Sequence, residues 1–299
     1  MKYKIIQESD MVQGSQEWHA FRAGGIGGSE IASVMNRNPY QTAYQLWQIK
    51  AGIKQAPDLS DNFAVKRGHA LEPIARKIIN EDYGFNFVPC IFQSLDHSFL
   101  KYSSDGFDSD KNELLEIKAL GEKNHLIVKE TQAPLAYYMD QCQWAMLITG
   151  CKKIHFVSYC QSFPEPIVKI EVLPDEKIQA EILKAAIKFW NMVETKTAPE
   201  LSDKDFEDIS CDAFKAIADE YIMKTNQLKL LEADIEQLKE KIKKAANGRN
   251  IVGNGLKASF SYRKGNVDYS KIPELEGVDL DQYRKPSSEM FLIKAYSGK

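Results

Sequence analysis

The chain has 299 residues, of which 43% are apolar, 27% charged and 10% aromatic, and its net charge is −3. That is enough to bury the core of one large domain, or of a domain with an appendage, and it excludes a disordered or collagen-like chain. No run of about 18 uninterrupted apolar residues offers a membrane span, and the five scattered cysteines (Cys90, Cys142, Cys151, Cys160, Cys211) contain no C-x-x-C pair, which argues against a disulfide framework, a structural zinc or an iron–sulfur cluster.

The opening MKYKIIQESD holds neither a long apolar core nor a small-residue cleavage site, so no secretory signal is expected and a reducing cytoplasm is the default setting. Residues 15–50 read as helices around a glycine knot, in which Gly24, Gly25, Gly27 and Gly28 lead into Ser29. After Gly68, the segment 63–83 is strongly helical, with Leu71, Ile74, Ala75, Ile78 and Ile79 on one stripe. Residues 85–92, 99–104 and 113–119 read as strands, the last two joined by a turn at Asp108 to Asn112. A helix over 134–149, strands at 154–161 and 167–173 and an amphipathic helix over 175–196 follow. The first 198 residues are therefore expected to form a mixed α and β domain, a small sheet flanked by helices.

Residues 199–299 read as a separate C-terminal extension. Leu228, Leu231, Ile235, Leu238 and Ile242 are spaced 3, 4, 3, 4, two heptads of an apolar seam that suits either its own domain or a neighbour in an oligomer. Asn254-Gly255 is a hairpin turn signal ahead of the alternating Leu256, Ala258, Phe260 and Tyr262. Residues 194–220 carry nine acids against three lysines, and residues 221–264 carry ten Lys or Arg against four acids. The asymmetry suits an appendage with its own partner and equally two solvated helix faces.

The strongest chemical signal is Asp105 followed by Glu116-Ile117-Lys118. Residues two apart on a strand share a face, so Glu116 and Lys118 project together, while Ile117 points into the core and its backbone carbonyl stays close by. Pairing through the 108–112 turn sets Asp105 beside Glu116. Two carboxylates and a carbonyl make a hard oxygen site for Mg²⁺ or Mn²⁺, and the lysine is placed to activate water or to stabilise phosphate charge. Carboxylate-x-lysine on an edge strand is also common without function. Glu72, in Arg67-Gly68-His69-Ala70-Leu71-Glu72-Pro73, supplies a further acid near the start of a helix, where the helix dipole alone also favours it. Arg22 and the loop Gly24-Gly25-Ile26-Gly27-Gly28-Ser29 offer a guanidinium and free N–H groups to a phosphate. An ordinary capped turn has the same look. The loop is neither a Walker loop nor a dinucleotide fingerprint, since no lysine follows the glycines and Glu30 stands at the last glycine position. Tyr138 and Gln141 share a helix face; Gln141 and Gln143 are amides suited to orienting water, or to a solvated face. The five histidines show no H-E-x-x-H, and G-x-S-x-G is absent, which disfavours a zinc protease and an α/β-hydrolase.

In this order, these elements resemble the phage λ-type exonucleases, the YqaJ-like viral recombinases. That family belongs to the nuclease superfamily with a restriction-endonuclease-like core and a D…(D/E)xK motif. The likeness spans about residues 13–195 and rests on Glu17-Trp18, Arg22, Gly27-Gly28-Ser29-Glu30-Ile31-Ala32, Arg67-Gly68 with Glu72, Ser104-Asp105-Gly106, Glu116-Ile117-Lys118 and Tyr138-x-x-Gln141-x-Gln143. The resemblance implies a restriction-endonuclease-like α+β fold and a Mg²⁺-dependent deoxyribonuclease that digests one strand of double-stranded DNA from the 5′ end. By the same likeness, Asp105, Glu116, Ile117 and Glu72 would surround the metal, Lys118 would be the catalytic lysine, and one of Gln141 and Gln143 the active-site glutamine. Arg22 and Ser29 would hold the 5′-phosphate. It further implies a homo-oligomer, a trimer, acting with a single-strand annealing protein in phage recombination in the cytoplasm of a bacterial host. The tail departs from the compact λ form. An endonuclease of the same superfamily and a non-catalytic DNA-binding or scaffold protein are the rival readings.

Overall fold

The structure is a computed structural model that describes residues 2–7, 11, 14–59, 61–207, 209, 211–261, 272–275 and 278. The chain divides into two compact units, Met1–Phe206 and Glu207–Lys299, so the division falls after 206 where the sequence suggests 198.

The first unit is organised by a six-stranded mixed sheet with strands β1 (Tyr3–Gln7), β2 (Val88–Ser94), β3 (Lys101–Asp108), β4 (Glu113–Ala119), β5 (Lys153–Tyr159) and β6 (Ile167–Val172), hydrogen-bonded in that order. Every neighbouring pair is antiparallel except β4 and β5, which are parallel. A parallel pair needs a crossover, and here it runs through two helices, α5 (Glu122–Thr131) and α6 (Ala136–Thr149). The other helices of this unit are α1 (Gln16–Ala23), α2 (Ile31–Val34), α3 (Ala43–Lys50), α4 (Phe63–Tyr83) and α7 (Glu176–Glu194).

Side-chain alternation along β4 feeds two cores. Leu114 joins a large cluster with Phe92, Tyr102, Trp144, Phe156, Ile182 and Phe189, which gathers α6 and α7 on one face. Leu115 and Ile117 join a smaller cluster with Ala75, Ile79 and Val157, under α4 on the other. Glu116 and Lys118 therefore look toward α6, while Ile117 looks toward α4.

The strands sit two to four residues later than the pattern suggests at β2 and β3. Phe85 and Phe87 stack on each other ahead of β2 (centroids 4.7 Å apart), and β3 continues through Asp105 to Asp108. β1 and α5 carry no clear period and were not expected. Helix α4 differs most. It starts at Phe63, capped by the Asn62 side chain accepting from the N–H groups of Ala64 and Val65, and it runs unbroken through Gly68 and Pro73. Glu72 is thus not at a helix N-terminus. Pro73 is interior, at a cost of order 3 kcal/mol, offset by burial of Ala75 and Ile79 against β4.

The second unit contains one 35-residue helix, α8 (Asp212–Ala246), in place of the short heptad segment expected. A small hairpin follows, β7 (Ile251–Gly253) with β8 (Leu256–Ala258). Asn254 and Gly255 both have positive φ, +49° and +78°, the backbone of a two-residue hairpin turn. β8 ends before Phe260, and Tyr262 lies outside the described residues.

Gly106 shows how tightly β3 is held. A Cβ there would lie 2.6 Å from Phe87 Cβ and 3.2 Å from Leu115 Cβ. Gly106→Ala should lower stability by about 1–3 kcal/mol through overpacking, read as a lower midpoint in chemical denaturation. An unchanged midpoint would contradict this packing.

Candidate nuclease site

The β3–β4 ladder ends at Gly106 opposite Leu115, so Asp105 and Glu116 stand one step beyond it, where the strands part. Asp105 takes over the ladder's role with its side chain: Oδ2 accepts the Ile117 N–H at 2.6 Å. The Ile117 backbone thereby ties Asp105 to β4 through its N–H, and its carbonyl stays the atom that the sequence offers to a metal.

Glu116 is only 1% exposed. Tyr102 Oη donates to its Oε2 at 2.8 Å, and Gln141 Nε2 donates to its Oε1 at 2.5 Å. Lys118 Nζ sits 2.6 Å from the same Oε1 and 5.1 Å from the centroid of the Tyr138 ring. Glu72 approaches from α4. Its Oε1 accepts from Arg76 Nη1 at 3.0 Å, and that nitrogen also donates to the Asp105 carbonyl at 2.6 Å. Arg76 thus ties the helix-borne acid to the backbone of the strand-borne one. It lies four residues after Glu72, a spacing that could have flagged it.

The electrostatics follow from this crowding. Burial, then the neighbouring charges of Glu116 and Glu72, push the Asp105 carboxyl well above its ordinary value, against the pull of Lys118 and the Ile117 N–H. Burial works against the Lys118 charge, but Glu116 and Asp105 outweigh it and hold the ammonium more firmly protonated than a free lysine. Burial and the Glu116 charge keep the Tyr102 phenol neutral.

Gln143 does not join this group. Two positions on from Gln141, it points to another side of α6, where its Nε2 donates to the Leu173 carbonyl at 2.8 Å. Its Oε1 accepts from the Asp175 N–H at 2.9 Å and from Gln179 at 3.1 Å. It fastens α6 to the start of α7, so of the two expected amides only Gln141 meets Glu116.

Arg22 and Ser29 do meet: Arg22 Nη2 donates to Ser29 Oγ at 3.0 Å and lies 3.3 Å from Glu30 Oε1. Trp18 lies under the guanidinium, 4.8 Å from ring centroid to Cζ. Glu30, part of the motif that carries the family likeness, anchors the loop. Its Oε2 accepts the Gly27 N–H at 2.8 Å and pairs with Lys50 at 2.9 Å. The loop is pinned to β3 by Ile26 N–H to the Phe99 carbonyl (2.7 Å) and Lys101 N–H to the Ile26 carbonyl (3.0 Å). Two cations, Arg22 and Lys50, thus pair with one carboxylate, while the Lys101 ammonium is held by the Phe21 carbonyl. The loop also touches the acid cluster, since a Cβ on Gly28 would lie 2.9 Å from the Tyr102 ring and 3.3 Å from Gln141 Cγ.

Asp105, Glu116 and the nearby Glu72 are the residues that could hold a divalent cation. Their chemistry fits a hard ion: burial, then the charges of Glu116 and Glu72, push the Asp105 carboxyl up, and a positive ion relieves both. Among the described residues, however, no three His, Cys, Asp or Glu side chains form a ready-made cage. Both Glu116 oxygens already accept hydrogen bonds, so an ion there has to compete with Lys118 and Gln141 for Oε1.

Burial, followed by the charge of Lys50, brings Lys101 down to about 8 from 10.5. Between those values the folded chain has released a proton that the unfolded chain retains, so stability rises with pH across that window. Lys101→Met should flatten this rise. Thermal unfolding of both proteins at about pH 7.5 and about pH 10 checks it, and an equal rise in both would contradict the assignment.

Residues 17–152 match the YqaJ-like viral recombinase domain, a span that holds Arg22, Ser29, Glu72, Asp105, Glu116, Lys118 and Gln141. The chain is 25% identical over 191 residues to the protein YqaJ of Bacillus subtilis (strain 168), covering 62% of this chain and 58% of that protein. Among solved structures it is similar to the alkaline exonuclease LHK-Exo of Laribacter hongkongensis, with a TM-score of 0.54 and 26% identity over 61% of this chain and 94% of that one. A second LHK-Exo structure, in complex with dAMP, matches with a TM-score of 0.53 and 27% identity over the same shares of the two chains. Residues 17–152 are thus similar to the YqaJ-like viral recombinase domain, and the mixed sheet flanked by helices has the restriction-endonuclease-like fold.

Proposed function

We propose that this protein is a divalent-metal-dependent deoxyribonuclease, with Mg²⁺ as its ion, that digests one strand of double-stranded DNA from the 5′ end. The observation that carries the reading is the buried Glu116, which draws Lys118, Gln141 and Tyr102 into one cluster beside Asp105, with the Arg22–Ser29 loop packed against it through Gly28. The likeness to an alkaline exonuclease supports the same chemistry.

Asp105 and Glu116, with Glu72 completing the acidic set, would hold the metal. When bound, it would supply Lewis-acid polarisation of the phosphate and a lowered pKa for the attacking water. Lys118, kept charged by Glu116 and Asp105, donates to a phosphate oxygen and so stabilises the charge that grows during in-line attack. Gln141 orients the carboxylate it bonds. Arg22 and Ser29 hold the terminal phosphate and so set the polarity. By likeness to the λ-type exonucleases, the proposal extends to a homotrimer acting with a single-strand annealing protein during phage recombination in a bacterial host cell.

Glu116→Gln and Lys118→Ala should each cut digestion of linear duplex by about 10²-fold or more while leaving the circular dichroism spectrum intact. Undiminished digestion in both variants would sink the assignment. Covalently closed circular duplex should survive the unsubstituted protein; its linearisation would instead favour an endonuclease. Metal-independent binding with no digestion would favour a scaffold.

Arg22→Ala should slow digestion of 5′-phosphorylated ends more than that of 5′-hydroxyl ends, about tenfold or more for one charge-assisted contact. Equal losses on both ends, measured in parallel time courses, would remove the phosphate pocket from the reading.

A further inference from the structure

Tyr138, whose ring lies beside Lys118, is the inner end of a row of tyrosines. Its centroid is 4.3 Å from that of Tyr137 at an interplanar angle of 54°. Tyr137 in turn meets Tyr40 edge to face, with centroids 6.2 Å apart at 85°. Tyr40 is 78% exposed, so the row runs from the catalytic lysine's neighbour out to solvent. A large ring left this open gains little from the protein core, and most of its surface is open to stacking.

The loop that carries Tyr40 is fixed before anything binds. The N–H groups of Arg37 and Asn38 both donate to the Ala32 carbonyl, at 2.8 and 3.0 Å. Asn38 Nδ2 donates to Ser33 Oγ at 2.9 Å, and Asn38 Oδ1 accepts the Tyr40 N–H at 2.9 Å. The same loop presents Arg37, whose guanidinium is held by the buried Asp140 at 2.7 Å yet is 43% exposed. A preset aromatic face beside a partly open cation is the pairing that binds single-stranded nucleic acid: rings take bases, and the cation tracks the backbone. Preset geometry also lowers the ordering cost on binding.

We propose that Tyr40 and Tyr137 form a stacking platform for an unpaired nucleobase of the strand whose backbone enters the Lys118 site. This rests on the nuclease reading of that site, and the platform takes any of the four bases, because each offers a π-face. Tyr138 belongs to the site itself; Tyr40 and Tyr137 are positioning residues that hold the strand.

The test uses linear duplex with a short unpaired 5′ tail that carries 2-aminopurine. Fluorescence is read with the metal chelated, and steady-state digestion is read in Mg²⁺. Tyr40→Ala should abolish the binding-induced quenching of 2-aminopurine and raise KM about tenfold, with kcat within about twofold of the unsubstituted protein. Tyr40→Phe should restore both, which a loss of folding would not allow; Tyr137→Ala should resemble Tyr40→Ala. Unchanged quenching and KM in both alanine variants would overturn the platform while leaving the nuclease reading in place. So would a fall in kcat with quenching intact. Tyr40-dependent quenching by a protein that fails to digest DNA in Mg²⁺ would uphold the platform and discard the nuclease.

Discussion

A carboxylate removed from water costs several kcal/mol unless its neighbours replace the lost hydration. Glu116 is such a group, at 1% exposure, and much of the surrounding architecture serves it. Tyr102 comes from the adjacent strand, Gln141 from the crossover helix and Lys118 from the same strand face. The parallel placement of β5 beside β4 requires the crossover that delivers α6, and α6 delivers Gln141. Removing one partner of a buried pair leaves an uncompensated charge, typically 3–5 kcal/mol of destabilisation. The cluster therefore contributes to the fold as well as to any chemistry.

The hairpin of β3 and β4 was legible because a strand has period two. Glu-Ile-Lys at 116–118 fixes two polar side chains on one face and one apolar side chain on the other, and the turn at 109–112 sets Asp105 opposite Glu116. The choice between Gln141 and Gln143 was not legible. Every residue from Asp140 to Met146 is buried, so α6 has no amphipathic stripe to say which face meets the sheet. The start of α4 was misplaced for a related reason. Gly68 and Pro73 weaken a helix locally, and only the packing of Ala75 and Ile79 on β4 explains why it continues through them. β1 was missed because its partner is far away in sequence, with Tyr3 opposite Ser94.

Around Arg22 the sequence supplied the guanidinium, the hydroxyl and the glycines. The spatial neighbours Glu30, Lys50 and Lys101 come from three different elements, and no spacing rule connects them. Their arrangement changes the meaning of the loop. Its N–H groups are not all free, because Glu30 occupies that of Gly27, and Arg22 is oriented by Ser29 and Glu30 in advance. The acid thus acts as a local counter-ion for two cations, Arg22 and Lys50, that reach the loop from different helices.

Gly28 carries a mechanical consequence. With the Tyr102 ring and Gln141 within ordinary side-chain reach of the place where a methyl group would stand, the loop rests directly on two of the three donors that solvate Glu116. Pushing that loop inward by an ångström would press on the phenol or the amide and so alter the hydration substitute of the buried acid. If the proposed roles hold, end sensing and bond cleavage would share one rigid lever, and a misplaced strand terminus would disarm the acid without ever touching it.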